Sequence, residues 1–299
     1  MFSIIICSIS PERLSQLKAN IQKTIGVEHE IIAFDNREKR YPIARVYNEG
    51  ARQARYPYLF FVHEDVLFHS ENWGEVIAGK LKEPDCGVIG FVGSKMKLKV
   101  YSGWMQSGED RCGFLYQRVG KNAEFCAFNV LLEHPFEEVI TVDGLGMFVR
   151  KQLWEKYPFD EKMLTGFHCY DLDFSLQIAA TKQYKNYICT SPKVLIEHFS
   201  LGNFDCQWVE NTIRMHKQKW NAFLPLKVPG YKISKSQEKK LTERCFSNFM
   251  RYMLKSDYPH KLTVMKEFML CPFSWKHFGH CWAHLFRYIK YNHRTLQKQ

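Results

Sequence analysis

From Ser3 to Val62, short β-branched and aromatic runs alternate with helical patterns. They are Ser3 to Ile9, a helix over about Pro11 to Ile25, Glu30 to Phe34, a helix over about Pro42 to Ala54, and Tyr58 to Val62. Repeated strand-helix-strand units predict an α/β fold on a mainly parallel sheet, with ligands in the crevice outside the strands' carboxyl ends. Pro11 and Pro42 stand just inside the two helix starts, where a missing N–H costs nothing. Ser10 is placed to cap the first helix.

The same reading extends along the chain. Ser70 is placed to cap a helix running to about Leu81, and Asp85 to Val92 reads as a strand after the Pro84 break. Gly93 to Phe136 is Gly-rich and irregular, which predicts loops and an antiparallel excursion. Strand character returns at Glu138 to Val142, followed by helices near Lys151 to Lys156 and over about Tyr170 to Thr181, with strands near Tyr187 and Val194. After Phe204 the pattern is helical, and Pro225 to Gly230 reads as a turn or linker. Two parts follow: a main domain over 1–224 and a helical extension over 231–299.

Charge separates these parts. Residues 231–299 hold 14 Lys and Arg against 4 Asp and Glu, a net +10 of the chain's +11. In this tail Trp275, Phe278, Trp282, Leu285, Phe286 and Ile289 recur at helical spacing, with Lys276, His280, His284, Arg287 and Lys290 on other faces. That basic amphipathic pattern predicts either peripheral contact with an anionic membrane or an aromatic stripe packed on the main domain. The tail has neither an RNP-like motif nor zinc-finger spacing, so no nucleic-acid partner is expected. Ten cysteines without a CxxC pair point to buried thiols in a reducing cytoplasm. The sequence shows no signal peptide or membrane-spanning run, so the expected location is cytoplasmic, with peripheral contact at the membrane's inner face.

Four places carry chemistry. The buried run Tyr58 to Val62 ends abruptly in His63-Glu64-Asp65, and crowded carboxylates at a strand end invite a divalent cation. A solvated turn is the plain alternative. Asp35 with Asn36 follows the second strand, where an Asp accepts hydrogen bonds from a base or ribose, though Asp-Asn also makes ordinary turns. Asp171 and Asp173 open a helix, which suits its dipole whatever the function, but a metal-free carboxylate is also what proton removal needs. His198 follows an apolar run and is either structural or a further metal ligand.

Taken in order, these segments resemble the nucleotide-sugar domain of GT-A glycosyltransferases of the inverting family 2 type, over roughly residues 1 to 220. Ser3 to Ile9 is similar to the family's first strand, whose end, at Ser8, packs against the base. Glu30-Ile-Ile-Ala-Phe-Asp35-Asn36 is similar to its second, with Asp35 at the position that recognises uracil. Ala44-Arg45-Val-Tyr-Asn48-Glu-Gly50-Ala51 resembles the AxNxG helix leading to the metal strand. His63-Glu64-Asp65 falls at the family's DxD motif, with His63 in place of the first Asp and Asp65 at the usual metal position. Val142-Asp143-Gly144-Leu-Gly146 resembles the segment lining the donor sugar. Phe159-Asp160-Glu161 followed by Tyr170-Asp171-Leu-Asp173 resembles the FDE…ED.D passage, with Tyr170 where Glu is common.

The resemblance implies a fold and an activity. The fold is a mixed, mainly parallel sheet flanked by helices, with a C-terminal helical extension. The activity is transfer of a hexosyl or N-acetylhexosaminyl group from a nucleotide-diphosphate sugar, UDP-linked, to a hydroxyl of a glycan or lipid-linked acceptor. It implies a divalent metal, Mn2+ or Mg2+, on Asp65 and His198, with Asp171 as catalytic base and Asp173 as supporting acid. Ser8, Asp35, Asn36, Arg45, Asn48, His63, Glu64, Asp143 and Gly144 would contact the nucleotide sugar. The competing reading is a GT-A-like binding module without turnover, raised by the altered HED triplet.

Overall fold

The computed structural model describes residues 1–104, 110–130, 133–200, 202–270 and 276–296. The predicted alternation forms as β1 (Phe2–Ser8), α1 (Pro11–Thr24), β2 (His29–Asp35), α2 (Ile43–Gln53) and β3 (Tyr58–Val62), then β4 (Val66–Phe68) and α3 (Trp73–Leu81). Next come β5 (Cys86–Gly90), β6 (Val92–Ser94), β7 (Met96–Lys97), β8 (Arg111–Val119), β9 (Asn122–Phe128), β10 (Phe136–Val139), β11 (Thr141–Val142) and β12 (Gly146–Arg150). The domain closes with α4 (Lys151–Lys156), α5 (Tyr170–Ala180), β13 (Lys185–Cys189), β14 (Ile196–His198) and α6 (Cys206–Met215), whose last turn continues as a π-helical segment over His216–Trp220. A short β15 (Leu226–Lys227) leads to α7 (Lys235–Lys255), α8 (Lys261–Met269) and α9 (His277–Leu296).

Among the described residues, the main sheet has the strand order β10-β13-β5-β12-β3-β1-β2. β2, β1 and β3 run parallel, β12 is antiparallel to both β3 and β5, β13 is parallel to β5, and β10 is antiparallel to β13. This is the mixed, mainly parallel sheet expected. The stretch read as an antiparallel excursion supplies the β8–β9 hairpin of a second sheet, β11-β6-β8-β14-β4 with β9 beside β8, in which β14 runs parallel to β8.

Packing explains why this order holds. Phe60 and Phe61 on β3 are fully buried and point to opposite faces of the sheet, as a two-residue period requires. Phe60 stacks on Phe148 of β12 at 3.8 Å, while Phe61 meets Tyr47 of α2 at 5.0 Å. Helix α2 lies close on β1 because Gly50 has no side chain there; a Cβ would meet Ile5 Cγ2 at 2.4 Å. Each such large side chain contributes about 1.5–3 kcal/mol on burial.

Local expectations meet three corrections. Ser10 caps α1 by accepting from Arg13 N, but Pro42 occupies the N-cap of α2 and not its first turn. Ser70 does not cap α3: that cap is Asn72 in left-handed conformation, and the Ser70 hydroxyl accepts from Leu195 N at 2.9 Å. Pro225 to Gly230 is more than a linker, since β15 pairs antiparallel with β7.

The tail departs further from the amphipathic expectation. Helix α9 packs on α7 and α8 through His277 and His284, which are buried, while Phe278, Trp282, Phe286 and Ile289 stay exposed. The aromatic stripe does not pack on the main domain. Buried His284 places Nε2 3.0 Å from Ser247 Oγ, and the half-exposed His280 pairs with Glu243. Trp275 lies outside the described residues. The cysteines among the described residues are free thiols.

Candidate active site

The strand ends converge as the parallel order demands. β3 stops at Val62, and the next backbone N–H, of His63, donates to Leu145 O at 3.1 Å, which brings Asp143 and Gly144 to the mouth of the crevice. Val66 pairs with His198 across the β4–β14 ladder, carrying His198 to the same place. One donor atom each from His63, Asp65 and His198 lies within 4.8 Å of the others. His63 Nδ1 is 3.9 Å and His198 Nε2 3.8 Å from Asp65 Oδ1.

The tautomers of both histidines follow from their other contacts. The Tyr170 hydroxyl is 3.1 Å from Gly144 O, which only accepts, so the phenol proton goes there. The 2.6 Å contact between Tyr170 and His63 Nε2 must then be donated by Nε2–H, and Nδ1 keeps its lone pair toward Asp65. For His198, the amide nitrogen of Gln117 donates to His198 O and Ser200 O at 3.2 and 2.9 Å, which leaves Gln117 Oε1 facing His198 Nδ1 at 3.2 Å. Nδ1 therefore carries the proton, and Nε2 keeps a lone pair that lies 3.3 Å from the Ser200 hydroxyl and 3.8 Å from Asp65.

Burial pushes the His63 imidazole down to about 4, so it is neutral at ordinary pH. Burial works to raise the Asp65 carboxyl, while positive charge at the neighbouring imidazole positions, a hydrogen bond from Ser200 and one from the backbone work to lower it. Two lone pairs and a carboxylate aimed at one point repel each other until a cation stands between them. This donor set fits a divalent metal, with orienting partners behind both imidazoles. Sequence reading named Asp65 and His198 as ligands; the structure adds His63, which had been given to the nucleotide.

Asp143 and Asp171 form the second part of the site. Asp171, in the first turn of α5, accepts from Gly144 N at 3.0 Å. Burial raises it to about 6, and raises Asp143 likewise to about 6 with help from the Asp171 charge. Gly144 has no room for a side chain, because a Cβ would lie 2.1 Å from the Tyr170 hydroxyl.

Asp173 does not join them. Residues two apart point to different sides of a helix, and Asp173 is fully buried on the side away from the crevice. It accepts from Trp220 Nε1 at 2.8 Å, Lys219 Nζ at 2.9 Å and Gln177 Nε2 at 3.0 Å. The supporting acid is thus a structural ion pair anchoring the π-helical segment. Asn48 is also internal: its amide nitrogen donates to Phe159 O and Glu161 Oε2, and its oxygen accepts from Phe159 N and Trp154 Nε1, which uses its whole capacity. Asn48 holds the FDE loop and does not face the crevice.

The remaining residues shape the rim. Glu64 turns from the metal ligands and accepts from Ser8 Oγ, Ile9 N and Ser10 N, bracing the β1–α1 turn. Asn36 clamps its own loop, exchanging both bonds with the Tyr41 backbone at 2.9 Å. Asp35 stands exposed at the end of β2, where Arg37 holds its carboxyl down to about 2. Arg45 lays its guanidinium 3.8 Å over the Tyr41 ring. Sequence reasoning missed Arg13, whose guanidinium reaches within 4.0 Å of Asp65, and Phe167, half exposed with its ring 5.1 Å from that of His63. It also missed the orienting roles of Tyr170 and Gln117; the paired departures at His63 and Tyr170 were the available signal.

The profile of the "Glycosyltransferase like family" matches residues 3–221. No curated protein sequence matches the chain. The structure is similar to GalNAc-T7 solved with UDP, GalNAc and Mn2+, with a TM-score of 0.50 at 13% identity over 87% of this chain and 58% of that one. The chain therefore spans 58% of that protein's length. The mannosyltransferase PcManGT from Pyrobaculum calidifontis, solved with GDP-Man and Mn2+, gives 0.48 at 10% identity over 96% of this chain and 86% of that one. At these identities the likeness to GalNAc-T7 speaks for the fold alone. With the profile spanning most of its length and a GT-A architecture beneath it, the chain belongs to the glycosyltransferase-like family.

Proposed function

We propose that this protein moves a sugar from a nucleotide-diphosphate sugar, UDP-linked, to a hydroxyl of a glycan or lipid-linked acceptor with inversion. The observation that carries the proposal is the pairing of a convergent His63–Asp65–His198 cluster with a separate carboxylate, Asp171, raised to about 6. Mn2+ or Mg2+ at the cluster would supply positive charge against the leaving diphosphate. The protein's own residues do the rest. Tyr170 and Gln117 hold the two imidazoles with their lone pairs forward. Asp171 accepts the proton of the acceptor hydroxyl as its oxygen bonds to the anomeric carbon and the bond to the diphosphate oxygen breaks on the opposite face. A base near 6 is ionised at neutral pH yet basic enough to assist. Asp35 is placed to meet the base once Arg37 gives way, and Asp143 and Gly144 line the donor sugar.

Calorimetric titration of UDP and GDP with and without Mn2+, on wild type and Asp65→Ala, tests this reading. UDP binding that needs Mn2+ and disappears in the variant is the expected result. Binding of GDP in place of UDP would move the donor class. UDP binding with no sugar release or transfer across an acceptor panel would favour the binding module, and no nucleotide binding would sink the proposal.

A further inference from the structure

The outer face of α9 presents Phe278, Trp282, Phe286 and Ile289 at 71%, 47%, 67% and 45% exposure, with Leu285 beside them at 37%. These positions, spaced by three and four residues, make one continuous stripe. An amphipathic helix on a folded domain ordinarily turns such a stripe inward. Here the inward side is taken by buried His277 and His284, against the Phe268 ring and Ser247, with Cys281 and Tyr288 packed beside them, so the stripe faces out. Lys276 and Lys290 flank it, both exposed, within a segment of net +10.

We infer that this face docks on an anionic lipid bilayer, laying α9 in the interfacial plane with its aromatic and aliphatic side chains among the acyl chains and its lysines at the headgroups. Charge and composition choose this occupant. A second copy would bring two strongly cationic segments together, which repel. A nucleic acid would attract the cationic segment but offers nothing to Leu285 and Ile289. A bilayer with acidic headgroups satisfies both, since burial of apolar area and attraction to anionic lipid add. Such docking stands independently of the transfer reaction.

The test is co-sedimentation of the full chain with vesicles of pure phosphatidylcholine or of an equimolar mixture with phosphatidylglycerol, at low and high salt. Wild type and the double variant Phe278→Ser with Phe286→Ser are compared; both side chains are mostly exposed, so the fold is unaffected, which circular dichroism checks. The expected result is sedimentation with anionic vesicles that weakens in salt and falls about tenfold or more in the variant. Absence of sedimentation, or equal sedimentation of the variant, would overturn the inference. So would concentration-dependent self-association that the two substitutions abolish, which would give the stripe to a second copy, or binding to single-stranded nucleic acid abolished by them without any vesicle binding.

Discussion

Helix α5 separates two polar regions built from the same kinds of residue. On its crevice side, Asp171 is met by backbone amides, and two histidines aim lone pairs at a third carboxylate. On its other side, where the C-terminal segment docks, Asp173 meets an ammonium, an indole N–H and an amide, and buried Lys97 donates to Leu98 O, Val100 O and Ser102 Oγ. Burial raises both aspartates and lowers Lys97 to about 7, so desolvation alone does not distinguish the regions. What differs is how closely the counter-charge is held. Asp173 and Lys97 meet their partners at hydrogen-bonding distance, whereas Asp65 has the Arg13 guanidinium at 4.0 Å, which leaves the crevice open to a ligand's charge.

The sharpest way to break this contrast is to remove the same oxygen from each side. Asp171→Asn should cost about 10²–10⁴ in turnover while Mn2+ and UDP binding persist. Asp173→Asn should instead lower stability by about 1–3 kcal/mol, read as a drop in Tm, because Lys219 and Trp220 lose their charged partner. Comparable turnover in wild type and Asp171→Asn would end the base assignment.

Next in size is the orienting role of Tyr170. Tyr170→Phe frees His63 Nε2 and lets the ring take either tautomer, so Mn2+ affinity should fall about 10–100-fold by calorimetry, as for other partners behind metal-binding imidazoles. An unchanged affinity would mean that the ring is fixed by packing against Phe167 alone.

The smallest effect is on pH. Asp171 must be ionised to act, so kcat/KM should rise with pH through about 6 and then level off. Stability has the opposite slope. A carboxyl raised in the folded state contributes stability below its ordinary value of 3.8 that is lost as pH rises through about 6. In metal-free protein, Asp171→Asn should therefore melt a few degrees above wild type at neutral pH, with the difference vanishing near pH 4. A constant difference across that range would show that Asp171 is not desolvated as drawn.

Much of the fold was legible because it is written in local periodicity. Tyr58 to Val62 and Lys151 to Lys156 appear with the bounds that their patterns give. Ser70 was misread because its hydroxyl serves Leu195, a residue 125 positions away, and no local pattern carries that. Asp173 is legible in principle, since two residues along a helix change its face, but the partners that fix its role, Lys219 and Trp220, lie on a segment far along the chain.

The sequence by itself determined the α/β order, the acidic strand end at Asp65, the presence of Asp171 and the charge of the tail, because each depends on residue type and short spacing. Only the tertiary structure decided that His63 joins His198 on Asp65, that Asn48 and Asp173 face inward, and that the aromatic stripe of α9 faces out. Those outcomes turn on which surfaces meet. Contacts between His63 and His198, or between Asp173 and Trp220, join elements far apart in the chain, and the direction of a side chain there is set by the packing of both partners.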